Sequence, residues 1–140
     1  MTDKLMDVEI ITPQRIVYSA KAVSVSVPGS QSPFQILFNH APIVSSLDIG
    51  IIKITDSSEK NIFFATGTGF AEVRSNKISV LVEHADAADE LNINSVKDEI
   101  VNAKEKLNNA KGTKDTELFK HFVLLSENKL KAIEKLKANS

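Results

Sequence analysis

Hydrophobic and polar positions change their period once along this chain, near His84. Before it the period is two. Met6, Val8 and Ile10 alternate with Asp7 and Glu9, which buries one face of a strand and wets the other. Val23, Val25 and Val27 alternate with Ser24 and Ser26, so these three valines are expected to share one buried face. The same reading places strands around residues 16–18, 34–38, 50–55, 61–65, 70–74 and 77–83. Thr12-Pro13-Gln14, Pro28-Gly29-Ser30, Asp56-Ser57-Ser58 and Ser75-Asn76-Lys77 supply turns between them. Alternation leaves open which of Phe34 and Phe38 faces inward, and one of them is assigned to the core. Short strands at this spacing predict a β sandwich, or flattened β barrel.

After His84 the period becomes helical. Ile93, Val96, Ile100, Ala103 and Leu107 follow a 3,4,3,4 spacing, a narrow seam on one helix. Asn94 or Ser95 is the expected N-cap, with Asp98 and Glu99 in the first turn near the positive end of the helix dipole. Asn108-Asn109-Ala110-Lys111-Gly112 is a stop, with Gly112 suited to a left-handed cap. Asp115 or Thr116 is the expected start of a second helix reaching about Lys137. A short link makes the two helices antiparallel neighbours, a helical hairpin. On a wheel of ~100° per residue, Leu118, Phe119, Phe122, Val123, Leu125, Leu130, Ile133 and Leu136 fill an arc of roughly 160°, wider than one partner helix requires. Lys129 and Lys137 fall inside that arc. Either they snorkel at a fraying end, or this half of the helix serves an apolar and an acidic environment.

Composition reinforces the division. Residues 1–84 hold all four prolines, four of the five glycines and 25 Val, Ile or Thr; residues 85–140 hold eight Val, Ile or Thr and ten of the fifteen lysines. Branched residues favour pleated surfaces, and Lys, Glu, Leu and Ala favour helices. The expected domains are therefore 1–84, a sandwich, and 85–140, a hairpin. Lys+Arg is 17 against Asp+Glu 18, a net charge of -1, which gives no broad basic field for nucleic acid. With no cysteine, disulfides and thiolate chemistry are excluded. The opening Met1-Thr2-Asp3-Lys4-Leu5 lacks the pattern of a secretory signal, and no apolar run approaches ~18–20 residues. The expectation is a soluble, cytoplasmic globular chain.

Candidate chemistry is sparse. His40 lies in a turn, His84 at the junction and His121 on a helix. His84 with Asp86 is the one weak pair, and His121 reads as a solvated or flanking helix residue. No nucleophile elbow, phosphate-binding loop or paired-carboxylate motif appears. Gly67-Thr68-Gly69 is followed by a strand, not by a helix whose amides could hold phosphate, so a bulge or a close backbone approach explains it better. No cofactor or metal is expected.

Three segments carry a resemblance. Val27-Pro28-Gly29-Ser30 leads to Phe34-Gln35-Ile36-Leu37-Phe38-Asn39-His40-Ala41-Pro42; Leu47-Asp48-Ile49-Gly50 leads into a branched strand; and Thr66-Gly67-Thr68-Gly69-Phe70-Ala71-Glu72-Val73 precedes Asn76-Lys77. In this order, and with the sandwich-then-hairpin layout, the whole chain resembles the F-type ATP synthase epsilon chain family. Gln35, Phe38 and Ile49 stand where that family usually has glycine, proline and proline. Leu91-Asn92-Ile93-Asn94-Ser95-Val96 occupies the place of an ATP-binding motif in some relatives. Here Asn92 replaces an acid and Ser95 an arginine, so neither the charge nor the guanidinium fork that pairs a triphosphate is present.

The resemblance implies a non-catalytic rotor subunit, peripheral on the cytoplasmic face of the plasma (inner) membrane, that couples proton flow to ATP synthesis. The β domain would clamp the gamma subunit and rest on the ring of c subunits. Ser30, Gln31, Ser32 and Pro33 would face the ring, or are plain solvated turn residues. Asn39, His40, Ala41 and Pro42 would lie near gamma; for His40 the alternative is an imidazole bonded to local backbone. The hairpin would fold against the sandwich or extend towards the beta subunit and oppose ATP hydrolysis. Phe119, Phe122, Leu125 and Leu130 would supply apolar contact, and Lys129, Lys131 and Lys135 would meet an acidic loop, unless these lysines form an ordinary solvated face. Two other readings stand beside it: a free-standing sandwich binding module with a basic docking hairpin, and an enzyme using His84 and Asp86.

Overall fold

In the computed structural model the described residues are 4–139, so Met1, Thr2 and Asp3 of the opening segment lie outside them. Nine strands precede two helices: β1 (Met6–Ile11), β2 (Ile16–Val27), β3 (Phe34–Leu37), β4 (Ile43–Leu47), β5 (Gly50–Asp56), β6 (Asn61–Thr66), β7 (Gly69–Arg74), β8 (Lys77–Val82) and β9 (Ala85–Ala87). A 3-10 turn (Ala88–Glu90) leads to α1 (Ile93–Asn108) and α2 (Gly112–Ala138). This is a β sandwich with a helical hairpin.

Strand β2 organises the sandwich. Its first half pairs with β1, in the row β4-β7-β8-β1-β2, and its second half pairs with β3 on one edge and β5 on the other, continuing to β6 and β9. The two expected strands at 16–18 and 23–27 are therefore one strand of 12 residues. Its pairing with β5 shifts register between Ala22 and Ser24. An extra residue there inverts the alternation: Ala22, Val25 and Val27 are buried, while Val23 is only half-buried. The expectation that Val23 shares the buried face of Val25 is corrected by this bulge.

Between the sheets lie Met6, Val8, Ile10, Ile36, Ile52, Ile54, Val73, Ile78 and Val80, all almost wholly buried. Phe34 and Phe38 are both half-buried and pack on the margin of this core, so neither takes the assigned interior place. Tyr18 meets Phe64 edge-on with centroids 5.5 Å apart. Burial, and secondarily the charge of Asp56, push the Tyr18 hydroxyl above its ordinary pKa.

Turns follow the predicted chemistry. Ser75 and Asn76 both take positive φ, 50° and 60°, which a two-residue hairpin connection requires. A Cβ on Gly69 would collide with the Leu81 carbonyl oxygen and lie 2.8 Å from Val82 Cα, so the close backbone approach expected here is real. Strands β4 and β9 were not anticipated. Ile43-Val44-Ser45-Ser46-Leu47 lies on a sheet edge with little alternation, and Ala85-Asp86-Ala87 has no branched residue. The last strand carries the sheet three residues beyond the expected change-over at 84.

Helix α1 starts two or three residues earlier than its expected caps: Asn92 accepts from the Ser95 amide at 3.0 Å. Asp98 and Glu99 consequently sit beyond the first turn. Helix α2 starts at Gly112 (φ +82°), not at Asp115 or Thr116, and Asn109 caps α1.

Candidate functional site: a docked hairpin and an open opposite face

The hairpin lies folded against the second sheet. Ala132 is wholly buried in a cluster with Phe63, Ala65 and Ala88, and Ile51 and Leu136 pack on its margin. Four residues earlier, one turn of α2, Asn128 points the same way. Its amide nitrogen donates to the Gly50 carbonyl at 2.7 Å and to the Thr66 carbonyl at 3.3 Å. Asn128 is 7% exposed. Buried amides need such partners, and these carbonyls end the β5–β6 ladder. At the two ends of the seam, His121 Nε2 lies 3.4 Å from Glu83 Oε1, and Asn61 donates to Asn139 Oδ1 at 2.9 Å.

The wide apolar arc of α2 is thus divided between two partners, α1 and the sandwich. Lys129, expected to snorkel or to serve a second environment, is half-buried and bonds Glu99 of α1 through both carboxylate oxygens, at 3.1 and 3.2 Å. Lys104 of α1 reaches Glu127 at 3.5 Å. Of the other residues expected to meet a partner, Phe119, Leu125 and Leu130 are half-buried, Phe122 is exposed beside Phe119, and Lys131 and Lys135 are exposed. Leu118 and Leu124 are also exposed, so the first half of α2 keeps uncovered apolar surface.

A cavity of about 410 Å³ opens where β6, β9, α1 and α2 meet. His84 and Asp86 line it with Glu99, Lys106, Phe122 and Lys129. Among the described residues no three His, Asp or Glu side chains converge to hold a metal ion. Asn92 and Ser95 do not line this cavity; they are joined in the cap of α1.

Ser30, Gln31, Ser32 and Pro33 form an exposed loop tied to β4 by the Ser30 amide, which donates to the Ser46 carbonyl at 2.9 Å. Asn39 and Asn76 bond reciprocally: the Asn39 amide donates to Asn76 Oδ1 at 2.6 Å and Asn76 Nδ2 donates to Asn39 Oδ1 at 3.1 Å. This pair fastens the corner of Asn39, His40, Ala41 and Pro42 to the β7–β8 turn. The His40 imidazole bonds the Ala41 carbonyl at 2.7 Å and its ring lies 6.3 Å from Phe34. His40 therefore has the local backbone contact that was one of its two readings.

Sequence reasoning missed an apolar surface on the first sheet. Cross-strand register places Phe70 beside Leu81, Leu81 beside Ile11 and Ile11 beside Ile16, in one row on the outer face of the first sheet. Phe70 and Ile16 are 58% exposed and Leu81 is 51% exposed. Val44, diagonal to Phe70 on the edge strand, extends it. The signal was available as apolar residues at the polar phase of alternating strands.

Residues 5–88 match the family described as ATP synthase, Delta/Epsilon chain, beta-sandwich domain. The chain belongs to this family. Among its relatives, the ATP synthase epsilon chain of Pelotomaculum thermopropionicum is 41% identical over 66% of this chain and 69% of its own. The cyanelle ATP synthase epsilon chain of Cyanophora paradoxa is 30% identical over 91% and 96%. In fold, the chain is similar to one from the Euglena gracilis mitochondrial ATP synthase, with a TM-score of 0.69 at 14% identity, covering 99% of this chain and 82% of that one. It is also similar to one from the Tetrahymena thermophila mitochondrial ATP synthase central stalk and c-ring, with a TM-score of 0.64 at 19% identity, covering 91% and 96%. The alignment with the Cyanophora relative, over 128 residues, takes in the hairpin as well as the sandwich. No helix among the described residues is long and apolar enough to cross a membrane.

Proposed function

We propose that this chain works as an epsilon-type, non-catalytic central-stalk subunit of a proton-translocating ATP synthase. It sits peripherally on the cytoplasmic face of the plasma membrane as part of that complex. The observation that carries the reading is the asymmetry of the sandwich. One sheet is covered by the chain's own hairpin, and the other presents Ile16, Leu81 and Phe70 to solvent with half-buried Ile11 in the same row. Contiguous exposed apolar surface on a small domain marks a partner site. In this reading gamma covers the row and the corner from Asn39 to Pro42, while Ser30, Gln31, Ser32 and Pro33 meet the c ring.

The hairpin is the regulatory element. Docked, it leaves Leu118, Phe122 and Leu124 exposed; extended, Phe119, Phe122, Leu125 and Leu130 bury against the beta subunit and gamma. Lys129, Lys131 and Lys135 then set direction, since exposed ion pairs contribute only ~0–1 kcal/mol each. Asn92 and Ser95 supply neither the charge nor the guanidinium fork that would hold a triphosphate, so this chain works without ATP as a ligand.

Reconstitution tests this. The wild-type chain co-purifies with gamma and the c ring; Phe70→Asp with Leu81→Asp abolishes this while the sandwich stays folded. Deleting residues 113–140 leaves assembly intact and raises ATP hydrolysis by the complex. Co-purification that survives the double substitution removes the apolar row as the gamma site. Unchanged hydrolysis after the deletion removes the inhibitory role.

A further inference from the structure

The outer face of the first sheet carries more than its apolar row. Two residues along each strand from that row, roughly 7 Å, register sets Glu72 beside Ser79 and Ser79 beside Glu9. Two residues further, Arg74 stands opposite Lys77, and Lys77 lies beside Asp7. Ala71, Val73, Ile78 and Val80, which alternate with these positions, are turned into the core. The outer face is therefore striped: apolar, then acidic, then basic. The free chain leaves the charges of the last two stripes unanswered. Among the described residues Glu9, Glu72, Arg74 and Lys77 have no ion pair. Asp7, the acid in register with the basic stripe, is taken by Lys21 at 2.7 Å. Like charges directly opposite on neighbouring strands destabilise a sheet, so Arg74 against Lys77 is a liability for the chain alone.

We propose that the three stripes are one docking surface that fixes how the partner is turned: gamma answers them with an apolar ridge, then cationic groups over Glu9 and Glu72, then anionic groups over Arg74 and Lys77. This rests on the reading of the apolar row as the gamma site. The polar stripes lie between two features given to gamma in that reading. The apolar row borders them on one side. On the other is the corner of Asn39 to Pro42, fastened by Asn76 in the turn that joins Arg74 to Lys77. An apolar row alone accepts a partner that has slid or turned upon it, whereas ordered charges reject both movements. Sliding the partner by one stripe in one direction brings its cations over Arg74 and Lys77. Sliding it the other way brings its anions over Glu9 and Glu72. A half-turn sets its anions on the apolar row and its apolar ridge on Arg74 and Lys77, which then lose water without gaining a partner.

Stopped-flow mixing of the full chain with purified gamma tests this, at salt concentrations of about 0.05 M and about 0.3 M that bracket a screening length of ~10 Å. Reversing the acidic stripe, Glu9→Lys with Glu72→Lys, slows association roughly ten-fold at low salt, and so does reversing the basic stripe, Arg74→Glu with Lys77→Glu. All four substitutions together leave the net charge unchanged and only exchange the stripes; this variant is the slowest. The differences shrink at high salt. Thermal midpoints check the fold of each variant, and where a reversal lowers them, Glu9→Gln with Glu72→Gln and Arg74→Gln with Lys77→Gln carry the same comparison with smaller slowing. Unchanged association in both double variants, or a quadruple variant that associates like the wild type, overturns the stripes and leaves the apolar row as the gamma site. One double variant faster and the other slower assigns the effect to net charge and overturns them equally. Gamma that binds Phe70→Asp with Leu81→Asp undiminished removes the row itself, and both readings fall.

Discussion

The sandwich and the hairpin are built to different tolerances. Between its sheets the sandwich packs branched side chains with no exposure at Ile10, Val25, Ile36, Ile52, Ile54, Ile78 and Val80. The hairpin buries only Val96 and Ala103 from α1, and two polar and two apolar residues from α2. The first arrangement tolerates neither cavities nor swelling, because a close-packed interior relaxes only in part. The second is held by one small apolar cluster around Ala132, by the buried Asn128 amide and by ion pairs open to water. A densely packed body carries an arm that buries far fewer side chains.

The sharpest way to break that comparison is to damage the core and ask whether the arm notices first. Ile54→Ala removes a wholly buried side chain and lowers the stability of the sandwich by about 2–5 kcal/mol, read from denaturant midpoints. If Ile54→Ala instead releases the hairpin and spares the sandwich transition, the two regions are not distinct. Ala132→Leu reverses the experiment. Over-filling the contact with Phe63, Ala65 and Ala88 costs about 1–3 kcal/mol, and the loss appears as hairpin release, measured by hydrogen exchange on α2, with β1–β8 still protected. Asn92→Ala removes the cap that accepts from Ser95 and weakens α1 by about 1 kcal/mol, seen as fraying of residues 93–96. The smallest effect is alkaline. The fold holds the Tyr18 proton more tightly than the unfolded chain, chiefly through burial. Its contribution is complete below the unfolded value of about 10 and is lost as pH rises through the folded value. Tyr18→Phe removes this component of the alkaline loss of stability.

The same contrast explains what could be read from the sequence. Strong alternation marked β1, the second half of β2, and β7 and β8, because each has one face in the core and one in water. The 3,4,3,4 seam marked α1 for the same reason. The edge strand β4 escaped because its exposed Val44 and inward Leu47 are separated by serines, and β9 because a strand of three needs a partner more than a propensity. The bulge at Val23 was invisible since Val-Ser-Val-Ser-Val reads as perfect alternation while pairing with β5 shifts the register. For the candidate surfaces, the motif segments located both loops. The apolar row needed register, because Ile11, Ile16, Phe70 and Leu81 come from four strands and meet only across the sheet. The Asn128 contacts and the Glu83–His121 contact join positions far apart in the chain, and no local pattern announces them.

The twelve-residue β2 has one more consequence. It belongs to both sheets without interruption, so the face that would meet an axle and the face that bears the arm share a single extended backbone. A strand is already near full extension, at roughly 3.3 Å per residue, and has almost no slack to give. Displacement of one side along this strand is therefore carried to the other through backbone alone, with no loop between them to absorb it.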